Sequence, residues 1–392
     1  MKKLCNKIKL DLVNKMRIKT FQSLSIKETL RDNVITKYHN ELLDSEIYFK
    51  NRKRSFNIKD ILNQYSKFII EDILVKNYKP CLYIHEESNI EHTIRSILTC
   101  VDILDSLKEK VIKHEQIYKE KIENMCSCFT ECSVQSEPIM LFYTESHEFI
   151  DNLIDEVIKK QKETYSFVSI NNKKHRYWRI ENNDTINKFI EIFNKIGSLY
   201  VADGHHRLCS LENLYNMTDN IDIQTNFNKV FANIVSASQI KTIRFSREWK
   251  IRATENINKQ KESFLEALNK YFYVYSDFNN EYDSDENTIM KFCDEIFYLK
   301  RNKSNMKEVN GCSAEIFQKY IEPLMNSCFD CCREIEPSIN NDIENDNLNR
   351  ITFNFSSPSI DEIILLCKKG YKFPRKTTFF YPKIEDGVIF CV

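Results

Sequence analysis

Five consecutive residues, Asp203-Gly204-His205-His206-Arg207, combine the side chains that bind phosphate groups and transfer protons. They stand within SLYVADGHHRLCSLENLY, where an apolar run precedes the motif and apolar residues at helical spacing follow it. This pattern predicts a strand that runs directly into a helix. The whole chain has 5 glycines and 8 histidines, so one glycine beside two histidines at such a junction favours a functional site.

Each residue of the motif has a use at a phosphate site. Gly204 can adopt a positive φ and lets a ligand approach the backbone. The first N–H groups of the following helix form an anion site, at which Arg207 can grip phosphate oxygens in a bidentate manner. His205 or His206 can donate to phosphate or move a proton. Asp203 repels phosphate unless Mg²⁺ lies between them or the carboxylate acts on an acceptor hydroxyl.

Two other interpretations of the motif stay open. In the first, Asp203 caps the helix, Gly204 allows a tight turn, and the histidines are packing or surface residues. In the second, the histidines bind zinc. Adjacent residues on a helix point about 100° apart, so His205 and His206 would need a third ligand from elsewhere in the chain.

The elements that must position this motif follow from the apolar pattern. Residues 20–80 are predicted to be mainly helical, with strands and helices alternating irregularly after them, which favours an α+β fold. We expect strands at 80–85, 95–105, 138–143, 165–170, 176–180, 229–236, 241–245 and 272–275, and helices at 106–132, 149–157, 185–196, 263–271 and 359–367.

The length of 392 residues predicts two domains. We expect a phosphate-binding core with an N-terminal helical region over residues 1–250, and a smaller C-terminal α+β region over 251–392. In the second region, the polar, Asn-rich stretches 276–289 and 334–350 are predicted to be exposed loops or insertions.

The charge balance bears on partners and location. The 57 basic and 57 acidic residues give no indication of a nucleic-acid or membrane partner, and no apolar run is long enough for a membrane span. The N-terminus, MKKLCNKIKLDLVNKMRIKTF, is interrupted by charged residues and does not look like a secretory signal. We therefore expect a cytoplasmic protein whose partners are a small-molecule substrate and a nucleotide.

The chain contains 14 cysteines, which in a cytoplasmic protein of this length we interpret as reduced thiols rather than a disulfide framework. Two clusters, one at Cys126, Cys128 and Cys132 and one at Cys328, Cys331 and Cys332, leave zinc as an alternative to buried thiols.

The segment YVADGHHR, Tyr200–Arg207, resembles the signature of the bacterial and archaeal family labelled domain of unknown function 1015. That family is similar to the ParB/sulfiredoxin superfamily, which includes ParB-like kinases of free serine. Other elements follow in the family's order, namely PCLYIH from Pro80, KHE from Lys113, Pro138-Ile139, HRYW from His175 and FPRKTTFFYPK from Phe373. The resemblance implies a mixed-sheet core of ParB/sulfiredoxin-like type with helical insertions, plus a smaller C-terminal α+β part.

The resemblance also implies residue roles. Gly204, His205 and His206 would line a phosphate, Arg207 would clamp it, and Asp203 would hold Mg²⁺ or orient an acceptor hydroxyl. The implied function is a phosphotransferase that moves a phosphoryl group between ATP or ADP and a small hydroxyl compound such as free serine, or acts in reverse on phosphoserine. Further candidates are Glu115 as a general acid or base, Lys376 and Lys383 as phosphate ligands, and His114, His175, Thr377 and Tyr381 as supporting residues.

The chain departs from the family's pattern in three places. The family's opening Tyr-Asp-Val-Ile segment is missing, and Leu24–Leu30 is its only candidate remnant. Ile117 stands where the family's His-Glu element usually has Thr, and Arg375 stands where a proline is common. These departures support an alternative, a catalytically inactive nucleotide-binding module. A third hypothesis is a ParB-like DNA-associated protein.

Overall fold

The computed structural model describes residues 15–30, 32, 34–39, 66–117, 119–132, 134–145, 147–217, 224–225, 227–251, 256–276, 288–306, 312–329, 332–335, 350–374, 377–385 and 387–392. The chain divides into two compact units. The first consists of Met1–Lys241 together with Pro382–Val392, and the second consists of Thr242–Tyr381.

The strands follow one another along the chain as β1 (Ile18–Lys19), β2 (Phe21–Ile26), β3 (Leu74–Ser88), β4 (Thr93–Asp102), β5 (Val111–Ile112), β6 (Ile139–Tyr143), β7 (Tyr165–Val168), β8 (Lys174–Ile180), β9 (Leu199–Asp203), β10 (Lys229–Ser236), β11 (Lys241–Thr242), β12 (Phe245–Ile251), β13 (Phe272–Tyr275), β14 (Thr288–Phe292), β15 (Glu295–Arg301), β16 (Cys332–Ile335), β17 (Arg350–Phe355), β18 (Phe380–Tyr381) and β19 (Ile389–Cys391). The helices are α1 (Ile103–Leu107), α2 (Lys119–Cys132), α3 (His147–Lys160), α4 (Asn183–Phe193), α5 (His205–Met217), α6 (Ile257–Leu268), α7 (Ser313–Ile316), α8 (Glu322–Cys328) and α9 (Ile360–Lys368).

In the described part of the first unit, an 11-stranded mixed sheet has the order β19-β2-β3-β4-β10-β6-β9-β5, with β1 paired to β4 and the hairpin β7–β8 joined to β3. The central strands are almost continuously apolar because both of their faces are covered. All five residues of β6 are buried, as are seven of the eight in β10. β6 runs parallel to β10 and antiparallel to β9. The fold is therefore α+β with a mixed sheet, as predicted.

Helices cover this sheet with apolar stripes. Ile150 and Ile154 of α3 and Phe189 of α4 lie in the same core cluster as the strands. The sequence suggests Asp184 as the cap of α4, but the side chain of Asn182 accepts the hydrogen bond from Thr185 N, and Asp184 lies in the first turn. Within the described residues, no helix combines the length and the apolar character that crossing a membrane requires.

The N-terminal region differs from the prediction of a mainly helical segment over residues 20–80. In the described part of this segment, residues 34–39 and 66–70 are helical, but β2 and the first residues of β3 are strands. β2 pairs with β3 on one side and with β19 on the other. Pairing between segments that are distant in sequence, more than 350 positions apart for β2 and β19, decides this conformation, and local periodicity cannot show it.

The C-terminal boundary also differs from the predicted region 251–392. Pro382–Val392 belongs to the first unit, because β19 completes that unit's sheet beside β2. The predicted loops 276–289 and 334–350 lie largely outside the described residues.

The second unit has its own six-stranded sheet with the order β13-β15-β14-β17-β12-β16. All five neighbouring strand pairs in this order are antiparallel. The core is aromatic, with Trp249 stacked on Phe317 and Phe353 against both. Two short strands, β11 and β18, form a separate two-stranded sheet. α9 begins with a capping box formed by Ser359 and Glu362.

Candidate functional site

The motif Asp203–Arg207 lies at a strand–helix junction, as its sequence predicts. β9 ends at Asp203 and α5 begins at His205. Gly204 between them has a φ of +96°, and a Cβ atom there would lie 2.7 Å from Cγ2 of Ile139 on the neighbouring strand. Both the backbone conformation and the contact with β6 therefore require glycine.

Asp203 lies between two cations. Its Oδ2 accepts a hydrogen bond from Nη2 of Arg207 at 3.0 Å, one helical turn further on. Its Oδ1 is 3.3 Å from Nζ of Lys383, which comes from the C-terminal segment 180 residues away. The side chains of Asp203 and Lys383 are 44% and 51% exposed, so this ion pair faces solvent and is open to a ligand.

Arg207 is held more firmly than Lys383. Its Nη1 lies 2.8 Å from Oε2 of Glu137 and donates to the carbonyl oxygen of Pro138 at 3.0 Å. Only 12% of its side chain is exposed. The resemblance implies that Arg207 clamps a phosphate, whereas here its guanidinium fixes Asp203 to the residues that lead into β6.

His205 packs inside the protein against His114. Its Nε2 lies 3.3 Å from Nδ1 of His114, and the two buried rings meet edge to face. The neighbouring Lys113 contacts both carboxylate oxygens of Glu212 on α5 at 2.5 Å. The Lys-His-Glu element and the Asp-Gly-His-His-Arg motif are therefore brought together. The predicted helix over residues 106–132 was wrong in its first half, since β5 occupies Val111–Ile112 and α2 begins at Lys119.

The other predicted site residues fall in several places. His206 and Glu115 are half-buried, one in the first turn of α5 and the other just after β5. Thr377 and Tyr381 belong to the second unit. Lys376 lies outside the described residues. His175, on β8, lies in a separate group, where it contacts His85 and Glu385.

The arrangement at the start of α5 suits an anion. The first N–H groups of a helix have no acceptor within the helix, and the helix dipole is positive at this end. Lys383 adds a half-exposed ammonium group beside them. Zinc bound by the adjacent histidines has no support here, because no trio of metal-ligating side chains in the described residues includes His205 or His206.

Sequence reasoning missed three residues that shape the site. Glu137 and the carbonyl of Pro138 bind Arg207, and Ile139 closes the space beside Gly204. The resemblance pointed to Pro138-Ile139 as a family element but gave it no role. A cavity of about 260 Å³ elsewhere in this unit is lined by Thr93, Arg95, Asp151, Ile154 and Gln239 and includes none of the predicted site residues.

Comparisons with solved structures give distant similarities. SbnI with a C-terminal truncation, from Staphylococcus aureus, is similar at 12% identity over 74% of this chain and 86% of that chain, with a TM-score of 0.40. A free serine kinase in complex with AMP is similar at 13% identity over 75% and 91%, with a TM-score of 0.36. A conserved hypothetical protein from Pyrococcus furiosus is similar at 14% identity over 74% and 94%, also with a TM-score of 0.36.

No curated protein sequence matches the chain. The family described as "Protein of unknown function (DUF1015)" matches residues 38–324. This range covers most of the chain and contains both the Lys-His-Glu element and the Asp-Gly-His-His-Arg motif. The chain therefore belongs to the DUF1015 family.

Proposed function

We propose that this chain binds the phosphate of a nucleotide at the start of α5 and transfers a phosphoryl group to or from a small hydroxyl compound, with free serine as the leading candidate. One observation carries the proposal. Gly204, with a positive φ and no room for a side chain, opens a helix whose first turn lies beside Asp203 and Lys383. Backbone, helix dipole and ammonium group together form a phosphate site.

The roles in this proposal follow from exposure. Lys383 neutralises phosphate charge, because its half-exposed ammonium can turn from Asp203 to a ligand. Asp203 orients the acceptor hydroxyl and takes its proton as the new P–O bond forms, while the nucleotide leaves with the bonding electrons. His206 is the histidine that contacts phosphate, since the ring of His205 packs against His114. Positioning and charge neutralisation supply most of such a reaction's catalysis.

Mg²⁺ does not fit Asp203 as this carboxylate is now held. Both of its oxygens face cations, Arg207 on one side and Lys383 on the other. A metal ion bound there would have to replace the ammonium of Lys383. The proposal therefore assigns charge neutralisation to Lys383 and the start of α5, and includes no step at a metal ion.

The same ion pairs favour a second candidate function. An Asp203 that is bound by Arg207 and Lys383 is a poor proton acceptor until a ligand draws Lys383 away. A module that binds nucleotide without turnover needs only the phosphate site. This alternative also agrees with the missing Tyr-Asp-Val-Ile segment. For either function we propose a cytoplasmic setting, in which buried cysteines such as Cys81 and Cys312 stay reduced.

Phosphorus NMR of the purified chain separates the candidates. The samples contain L-serine with ATP or ADP and, separately, phosphoserine with AMP or ADP. The phosphotransferase predicts that a phosphoserine signal appears or disappears. Asp203→Asn should abolish this turnover yet keep the rise in melting temperature that nucleotide causes. Asp184→Asn, an exposed acid on α4, is the matched control and should keep both.

Each result has a distinct meaning. Turnover that survives in Asp203→Asn would overturn the role of Asp203. Stabilisation by nucleotide without turnover in the parent chain would establish the binding module. If neither AMP, ADP nor ATP raises the melting temperature, the phosphate site at the start of α5 does not exist.

A further inference from the structure

A second group of titratable side chains surrounds His175, and the proposed function does not use it. His175 on β8 is fully buried, as is His39 in the helical residues 34–39. Ligand atoms of His39, His175 and Glu385 all lie within 4.8 Å of one another. Two imidazoles and a carboxylate from three distant parts of the chain thus converge in the interior of the first unit.

The contacts of His175 leave one ring nitrogen facing this group. Its Nδ1 lies 3.0 Å from Nε2 of His85, so one of the two nitrogens holds the proton between them. When Nδ1 of His175 donates this proton to Nε2 of His85, a lone pair remains on Nε2 of His175.

That lone pair meets a carboxylate oxygen. Nε2 of His175 lies 3.3 Å from Oε2 of Glu385, and neither of these two buried atoms makes a hydrogen bond. Two lone pairs at this distance repel each other unless a positive charge lies near both. In a tetrahedral zinc site with bonds of 2.0–2.1 Å, neighbouring ligand atoms are about 3.3 Å apart.

The rest of Glu385 is fixed so that Oε2 stays available. Its Oε1 accepts a hydrogen bond from Asn171 at 2.8 Å and lies 3.4 Å from Nζ of Lys173. Its backbone N–H donates to Glu87 at 2.7 Å. Oε2 is therefore the carboxylate oxygen that remains beside Nε2 of His175, and a carboxylate binds a metal ion in its ionised form.

We infer that His39, His175 and Glu385 form a binding site for a divalent transition metal ion of the Zn²⁺ class. Two imidazole nitrogens and one carboxylate oxygen are a usual zinc donor set. A hydrogen bond from Nδ1 of His175 to Nε2 of His85, which lie 3.0 Å apart, would be the outer contact that orients such a ligand.

A competing trio, His85, Glu87 and His175, has ligand atoms equally close together. It is the weaker candidate because both oxygens of Glu87 are engaged. Oε1 accepts from Lys173 at 2.8 Å, and Oε2 accepts from the backbone N–H of Glu385. His85 is occupied by His175. These groups position Glu385 and His175 rather than bind the ion.

The site would anchor the C-terminal segment to β8. Glu385 lies two residues after Lys383, whose carbonyl oxygen accepts a hydrogen bond from Lys173 at 3.1 Å. A metal ion on Glu385 would fix this segment and, with it, the lysine beside Asp203. The inference itself does not depend on the proposed function, because metal binding is measured without nucleotide.

The test uses the full chain stripped with a chelator and titrated with Zn²⁺ alone. We expect one Zn²⁺ per chain by metal analysis, a higher melting temperature, and a Co²⁺-substituted form whose visible spectrum lacks thiolate charge-transfer bands. Glu385→Gln and His39→Gln should each weaken Zn²⁺ binding by about 100-fold. Glu87→Gln and Cys328→Ser, the controls for the competing trio and for a thiol site, should keep binding within about tenfold.

Other outcomes overturn the inference. It is wrong if the parent chain takes up no Zn²⁺, or if Glu385→Gln and His39→Gln both bind as tightly as the parent. It is also wrong if only Cys328→Ser loses the ion, or if Glu87→Gln loses it while Glu385→Gln keeps it. If a variant unfolds, as circular dichroism would show, the Co²⁺ spectrum of the parent still decides between nitrogen and oxygen ligands and thiolates.

Discussion

Nε2 of His205 lies 3.3 Å from Nδ1 of His114, and these two buried histidines are 91 residues apart in the chain. Their rings meet edge to face with centroids 4.5 Å apart. The contact joins the segment after β5 to the first turn of α5. It therefore brings together two motifs that lie far apart in the sequence.

This pair predicts an energetic coupling. His205→Ala and His114→Ala should each lower the free energy of unfolding by about 2 kcal/mol, because each removes a buried ring and one partner of the contact. The double variant should lose about 1 kcal/mol less than the sum of the two. Urea unfolding of the parent chain, the two single variants and the double variant measures this difference. Strict additivity would show that the two rings do not interact.

Gly204 should tolerate no side chain. We expect Gly204→Ala to lower the free energy of unfolding by about 2–4 kcal/mol, since it adds the cost of a positive φ to a clash with Ile139. Gly370 offers a matched control, because its φ is +77° and an added Cβ would meet nothing within 4 Å. Gly370→Ala should therefore cost only about 1 kcal/mol. Equal losses in the two variants would exclude the contact with Ile139 as the cause.

Lys383 should contribute to the affinity for phosphate but not to the stability of the ligand-free chain. Its side chain is half-exposed, so Lys383→Ala should leave the melting temperature of the ligand-free chain nearly unchanged. Nucleotide binding should weaken by about tenfold, because one charge-assisted contact is lost. Isothermal titration calorimetry at low and at high salt measures the loss of nucleotide affinity and how far salt screens this contact. Lys159→Ala, which removes an exposed lysine of α3, should bind like the parent, and a similar loss there would point to non-specific attraction.

Asp105 should make the first unit sensitive to acid. This fully buried residue accepts a hydrogen bond from Arg17 N at 2.8 Å and lies 3.1 Å from Nζ of Lys110. Burial alone would raise the pKa of Asp105, but Arg17 and Lys110 outweigh burial and lower it from the ordinary value of 3.8. The unfolded chain therefore takes up this proton first as the pH falls. The stabilisation is complete above pH 3.8 and is lost as the pH falls through the lower folded value.

Asp105→Asn tests this sign. At neutral pH the variant should be about 3 kcal/mol less stable, because Arg17 and Lys110 lose their buried partner. The gap between variant and parent should narrow below pH 3.8. Urea unfolding across this range measures it, with the exposed Asp184→Asn as control. A gap that stays constant as the pH falls would contradict the assignment of the lowered pKa to Asp105.

Several features of this chain could be predicted from local residue chemistry. The apolar runs at 138–143 and 229–236 predicted buried strands, because both are short and rich in β-branched and aromatic residues. The run Asp203–Arg207 predicted a strand–helix junction because Gly204 is the residue that such a turn requires. Its resemblance to the DUF1015 signature was carried by consecutive residues and needed no structure.

The residues that contact this junction follow from the tertiary fold and not from local sequence. Lys383 reaches Asp203 across 180 residues, and β19 returns to the first unit beside β2, because strand pairing over such distances leaves no local pattern. In the fold, the ring of His205 packs against His114, and the guanidinium of Arg207 pairs with Glu137. The local sequence shows neither contact. Local sequence patterns could not predict the group of His39, His175 and Glu385, because only the fold brings these three side chains together.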